Sequence, residues 1–82
     1  LVLTPLEYNR RAGLAVVCPI TNQVKGYPFE VLIPRKLQLS GAILADHVKS
    51  LDWQARKAKP AGKCPIETLE EVQGKLRALL DL

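Results

Sequence analysis

The sequence predicts a mainly β chain with helix, of the α+β class: short strands in a small, strongly bent sheet or barrel, closed by one amphipathic helix. Three observations carry this. Between Leu1 and Leu51, short apolar runs follow one another with turn-forming residues between them. Within the runs, apolar side chains alternate or occupy both faces, as strands require. From Ile66 onward the apolar spacing changes to three and four residues, as a helix requires.

Leu1-Val2-Leu3-Thr4 reads as a strand that begins without a lead-in, as a fragment would begin. After Pro5, LEYNRRAG reads as a single helical turn stopped by Gly13. LAVVCPI is apolar on both faces, with Leu14, Val16, Cys18 and Ile20 on one and Ala15 and Val17 on the other. That pattern predicts a central strand. The stretch TNQVKGYP then reads as a turn, and FEVLI resumes β character, with Phe29, Val31 and Ile33 facing a core and Glu30 and Leu32 facing away. Pro34 ends this strand by removing a ladder donor. RKLQLSG is a connection. AILADHVKSL reads as one longer strand or two short ones, followed by a polar stretch in which Trp53 anchors a loop to the core.

In the C-terminal segment, Ile66, Leu69, Val72, Leu76, Leu79 and Leu80 form the helical stripe. Pro65 is expected in the first turn, where its missing N–H costs nothing. Glu67, Glu70 and Glu71 precede Lys75 and Arg77, as the helix dipole prefers, and Glu71 and Lys75 stand at i,i+4. Gly74 weakens the helix by about 1 kcal/mol relative to Ala. Burial of six apolar side chains, at about 1.5–3 kcal/mol each, outweighs that.

Eighty-two residues suffice for one domain, 1–82. A chain of this size buries only about 60–65% of its unfolded surface, which leaves room for a second chain to complete the core. Twelve basic residues against eight acidic ones favour an anionic partner. Five of the basic ones, Lys49, Arg56, Lys57, Lys59 and Lys63, lie in one stretch and predict a basic surface. No apolar run reaches the roughly 18 residues a membrane span needs, and no leader pattern opens the chain, so it reads as cytoplasmic. Cys18 and Cys64 are far apart and neither lies in a C-x-x-C pair; they read as buried thiols, with neither a metal nor a cofactor implied.

LVLTPLEYN, CPITNQVKGYPFEV, LADHVKSLDWQARKA and the closing helix together resemble the MazF/PemK family of toxin endoribonucleases, in the same order and at family spacing. The resemblance covers nearly the whole chain. It implies an SH3-like β-barrel of the plasmid-toxin type, a homodimer, and metal-independent cleavage of single-stranded mRNA at short motifs, leaving a 2′,3′-cyclic phosphate and a 5′-hydroxyl. It also implies a cognate antitoxin whose extended acidic tail covers the RNA groove. Family members begin with a further strand and a long loop, and their catalytic Arg precedes the match to Leu1. This sequence carries neither, so it reads as truncated at the N-terminus, and Arg10 and Arg11, in a different loop, do not replace that Arg. An inert SH3-like module that binds antitoxin peptide or RNA without cutting is the alternative. A gyrase-directed toxin on the same barrel is a weaker third reading, because the KGYPFEV loop resembles the ribonuclease branch.

Metal-free RNA cleavage needs an in-line 2′-hydroxyl, a base for its proton, charge on the phosphorane and an acid for the leaving oxygen. Thr21 matches the family's active-site Thr and can orient the phosphate; its competing role is an ST-turn with its own backbone. Asp46 matches a family carboxylate and ranks second, as base or RNA contact. Lys25 can supply positive charge to a phosphate, Asn22 and Gln23 can read base edges, and Tyr27 can stack a base. His47 stands beside Asp46, but adjacent strand residues face opposite ways unless a bend intervenes, so a solvated histidine is the plainer reading. Lys49, Arg56 and Lys57 are candidate phosphate contacts, or a solvated basic face.

Overall fold

Pro5 starts and Gly13 stops the first helix, α1 (Leu6–Ala12), which is two turns long rather than the single turn expected. Gly13 takes the left-handed conformation, φ 70°, and returns its N–H to the Asn9 carbonyl at 3.1 Å, as a helix stop requires. Arg10 and Arg11 therefore lie on a helix and not in a loop, with Arg11 paired to Glu7 at 3.2 Å. The computed structural model describes residues 1–35, 37 and 39–82; of the RKLQLSG connection, Lys36 and Gln38 lie outside the described residues.

The strands are β1 (Ala15–Val17), β2 (Ile20–Thr21), β3 (Glu30–Leu32), β4 (Ala42–Leu44) and β5 (Lys49–Leu51), and the last helix is α2 (Ile66–Leu80). They form two antiparallel sheets, β1–β5 and β2–β4–β3, and not one closed barrel among the described residues. Leu1–Thr4 contributes only an isolated bridge from Val2 to Val17, with Leu3 N–H on the Val16 carbonyl at 2.8 Å and Cys18 N–H on the Leu1 carbonyl at 2.9 Å. A longer strand does not form there because Thr4 turns its hydroxyl to the Val16 N–H, at 3.1 Å, and to Asn9 Oδ1, at 2.6 Å.

LAVVCPI is two strands in two sheets instead of one central strand. The break falls at Cys18-Pro19, where proline has no N–H for a ladder. On the opposite side, AILADHVKSL divides into β4 and β5, the second of the two arrangements its sequence allowed. Between the pairs Val17↔Lys49 and Ile20↔Ile43, two residues lie on one side (18–19) and five on the other (44–48). The three-residue excess is taken up as a 3₁₀ turn, Ala45–His47. Cys18, 1% exposed, fills the space behind it, its thiol on the Ala45 carbonyl at 3.9 Å. Burial pushes the Cys18 thiol above its ordinary pKa, so it stays neutral and can donate.

Val31, Ile43, Ala45, Cys18 and Val72 make the core, with Phe29, Ile33 and Leu76 packed against it. The alternation read in FEVLI is the one observed: Val31 is fully buried and Leu32 is 65% exposed. The helical stripe is narrower than its periodicity suggested. Val72 and Thr68 are buried and Leu76 is half-buried, but Ile66, Leu79 and Leu80 are exposed because the small sheet does not extend beneath both helix ends. Pro65 is the N-cap and not a first-turn residue. Lys75 does not pair with Glu71 among the described residues; its Nζ bonds the Pro28 carbonyl instead.

Candidate functional site

Strand β4 is the ruler that positions the site. Ala42 stands between Thr21 on β2 and Leu32 on β3, and Leu44 stands beside Glu30. Directly opposed residues, and residues two apart, share a face, so Thr21, Leu32 and Glu30 lie on one face of this sheet. The other face carries Val31 and Ile43 into the core. By strand spacing, the Cα atoms of Thr21 and Glu30 are about 12 Å apart.

Thr21 ends β2, and its Oγ1 accepts the Gln23 N–H at 3.1 Å, closing an ST-turn. That bond uses an acceptor lone pair and leaves the hydroxyl proton available to an anion. The turn is pressed from behind by Gly41, φ 110°: a Cβ there would sit 2.0 Å from the Thr21 carbonyl oxygen. Only glycine permits this approach. Nothing in the KGYPFEV pattern pointed to Gly41, although a glycine just ahead of an apolar strand signals a close backbone approach.

The loop 22–29 projects Asn22, Gln23, Lys25 and Tyr27 into solvent. Its shape comes from two residues whose loop contacts no sequence pattern marked. Glu30 accepts the Lys25 and Gly26 N–H groups at 3.1 and 2.9 Å, and Lys75 reaches from α2 to the Pro28 carbonyl. Lys25 Nζ lies 5.8 Å from the Tyr27 ring centroid, a cation–π distance that draws charge and stacking surface together. Phe29 packs against the core, as its alternation predicted.

Asp46 and His47 are adjacent in the 3₁₀ turn, and that turn is the bend that frees them from pointing to opposite faces. Both are exposed, with Asp46 Oδ1 and His47 Nε2 3.9 Å apart. The turn neighbours the loop through the Ala45 N–H on the Phe29 carbonyl, 3.0 Å. Lys49 is exposed on β5, while Arg56 and Lys57 are exposed on the turn after it. Asp52 closes that turn through the Ala55 N–H, at 2.9 Å, and Trp53 anchors it by donating Nε1–H to the Asn9 carbonyl, also at 2.9 Å. The structure thus brings Thr21, Asn22, Gln23, Lys25, Tyr27, Asp46 and His47 onto neighbouring segments. It sets Lys49, Arg56 and Lys57 on the second sheet and its turn.

An apolar groove of about 1090 Å³ opens on the inner side of the sheet, lined by Leu1, Ala15, Ile20, Ile33, Ile43 and Trp53 among others. Among the described residues no three His, Cys, Asp or Glu side chains converge where a metal ion could sit, and no helix is long and apolar enough to cross a membrane.

Residues 1–80 match the model of the PemK-like, MazF-like toxin of type II toxin-antitoxin systems. The chain is 40% identical over 79 residues to the endoribonuclease toxin MazF of Escherichia coli K12, covering 96% of this chain and 70% of that protein. It is 30% identical over 84 residues to the Escherichia coli endoribonuclease PemK, covering 98% of this chain and 63% of that one. It superposes on the crystal structure of MazE–MazF from Deinococcus radiodurans (form III) with a TM-score of 0.97 at 51% identity, over 99% of this chain and 82% of the other.

Proposed function

This chain belongs to the PemK-like, MazF-like toxin family of type II toxin-antitoxin systems, and from that premise we propose that it is an endoribonuclease that cuts single-stranded mRNA at a short sequence motif without a metal. The observation that carries the reading is the Thr21 hydroxyl, held at a strand end by Gln23 and Gly41, its proton without an acceptor among the described residues. Through that proton Thr21 donates a hydrogen bond to a non-bridging oxygen of the scissile phosphate and orients the phosphorus for in-line attack. Asp46 takes the 2′-hydroxyl proton, and Lys25 offsets the charge that builds on the phosphorane. The 2′-oxygen bonds to phosphorus as the P–O5′ bond breaks and the leaving 5′-oxygen takes a proton from solvent water, so the products are a 2′,3′-cyclic phosphate and a 5′-hydroxyl. Asn22, Gln23, Tyr27 and His47 face the flanking bases.

The partners proposed are a second copy of the chain and an antitoxin whose acidic extended tail competes with RNA for the basic surface; the compartment is the cytoplasm. Exposed apolar side chains such as Val2, Leu6 and Leu32, together with the apolar groove, support association with other protein chains. One observation favours the second reading, binding without cutting: β2, β3, β4 and the loop 22–29 carry no arginine.

The deciding experiment incubates the product of the whole reading frame with single-stranded RNA of varied sequence in excess EDTA and reads the ends by mass spectrometry. Cyclic-phosphate and 5′-hydroxyl ends are expected. RNA bound but intact selects the binding module, and RNA neither bound nor cut overturns both readings. A second expectation concerns Lys49, Arg56 and Lys57. If the three touch phosphates, replacing all three by Gln lowers the slope of log K against log salt by about 2, since each contact to a single strand contributes about 0.7. An unchanged slope returns them to the solvated face.

A further inference from the structure

We propose that Glu30 is a positioning residue that locks the loop 22–29 and thereby sets which RNA bases the site accepts; the proposal rests on the RNA-cutting reading above. Glu30 is the first residue of β3, held by its register against Leu44. From there its carboxylate spans two successive backbone donors: Oε1 accepts the Gly26 N–H at 2.9 Å, and the Lys25 N–H lies 3.1 and 3.3 Å from Oε1 and Oε2. Two adjacent N–H groups aimed at one anion make a concave anion-binding nest. Gly26 supplies the left-handed φ, 78°, that this shape needs.

A nest filled by the protein's own carboxylate makes the loop rigid and keeps other anions out of it. Glu30 holds the loop at residues 25–26, its own N–H holds the Tyr27 carbonyl at 3.1 Å, and Lys75 holds Pro28. The side chains at 22, 23, 25 and 27 are exposed but borne on a fixed backbone, which lowers the ordering cost of base recognition. Exclusion follows from the same bonds. With both amides occupied and a negative charge beside them, an RNA phosphate is not drawn to the loop backbone, and the loop meets RNA through side chains and bases. Phosphate contacts carry no sequence information, whereas base contacts do.

The test compares wild type, Glu30→Ala and Glu30→Gln in the product of the whole reading frame. Binding is measured to two uncleavable 2′-O-methyl RNAs, one with the preferred motif and one with a single base changed. Amide hydrogen exchange is followed at Lys25 and Gly26. In Glu30→Ala these two amides exchange about tenfold faster, while Val31 and Ile43 are unchanged. Affinity for the preferred RNA falls as affinity for the changed RNA holds or rises, so discrimination narrows. Glu30→Gln, which keeps one acceptor oxygen, lies between. Equal loss on both RNAs overturns the proposal, because a merely structural residue gives that result, and so does unaltered exchange. A wild-type protein that binds neither RNA removes the specificity role with the function reading. Slow exchange at Lys25 and Gly26 in that protein then identifies the function reading as the part that failed.

Discussion

Replacing Thr21 by Ala in the product of the whole reading frame is expected to lower kcat for RNA cleavage about 10²–10³-fold, the range seen when one preorganised donor to a developing oxyanion is removed. The effect falls on kcat because the hydroxyl bonds most strongly to a phosphate as charge builds on it. Stability changes little. Within the fold the substitution removes the exposed hydrogen bond from the Gln23 N–H to Oγ1, worth about 1 kcal/mol or less. Thr21→Ser keeps both the acceptor and the proton, so most activity should survive. Single-turnover cleavage with circular dichroism and thermal melting checks all three points. Near-normal cutting by the Ala variant, or its failure to fold, removes Thr21 from the mechanism.

Gly41→Ala should be the most damaging Gly→Ala change among the five glycines. The new Cβ would lie 2.0 Å from the Thr21 carbonyl oxygen and 2.9 Å from its carbon, both backbone atoms that cannot rotate away, at a φ of 110° that L-residues rarely adopt. A backbone displacement there, added to the strained φ, should cost about 3 kcal/mol or more. The displaced atoms belong to Thr21, so cleavage should fall even at temperatures where the variant remains folded. Gly74→Ala is the internal control: its Cβ meets nothing within 4 Å, and mid-helix it should raise stability by up to about 1 kcal/mol. Thermal melts of the two variants, measured side by side, test the close approach directly. Equal stability would place Gly41 away from Thr21.

The stretch CPITNQVKGYPFEV shows how much of the site was legible. Its alternation identifies Phe29 and Val31 as inward and Leu32 as outward, and its polar interruption marks a turn from Thr21 onward; the structure makes Thr21 the last residue of β2. The same alternation marks Glu30 only as outward-facing, because a carboxylate's acceptor role depends on the two amides that the fold turns toward it. Helical spacing likewise sets Lys75 beside Glu71. An i,i+4 pair on an exposed face is worth only about 0.2–0.5 kcal/mol, so a carbonyl brought near by the fold takes the lysine.

The sequence by itself determined the local elements: an α+β chain, a last helix with Val72 and Leu76 inward, a turn following Ile20, and Cys18 buried, although Cys64, read the same way, is only half-buried. Period and turn chemistry are properties of neighbouring residues, so the type and order of these elements do not depend on remote contacts. Only the tertiary structure decided where the strands part and what their ends touch. The five residues of 44–48 opposite the two of 18–19 throw Asp46 and His47 out on a 3₁₀ turn. Gly41 comes against Thr21, and Lys75 reaches Pro28 across 47 residues of chain. Those contacts join segments remote in sequence, and no local pattern encodes a remote partner. The physical reason is that a periodic pattern specifies which face of an element is turned inward, while the partner opposite that face is set by how the whole chain closes its core.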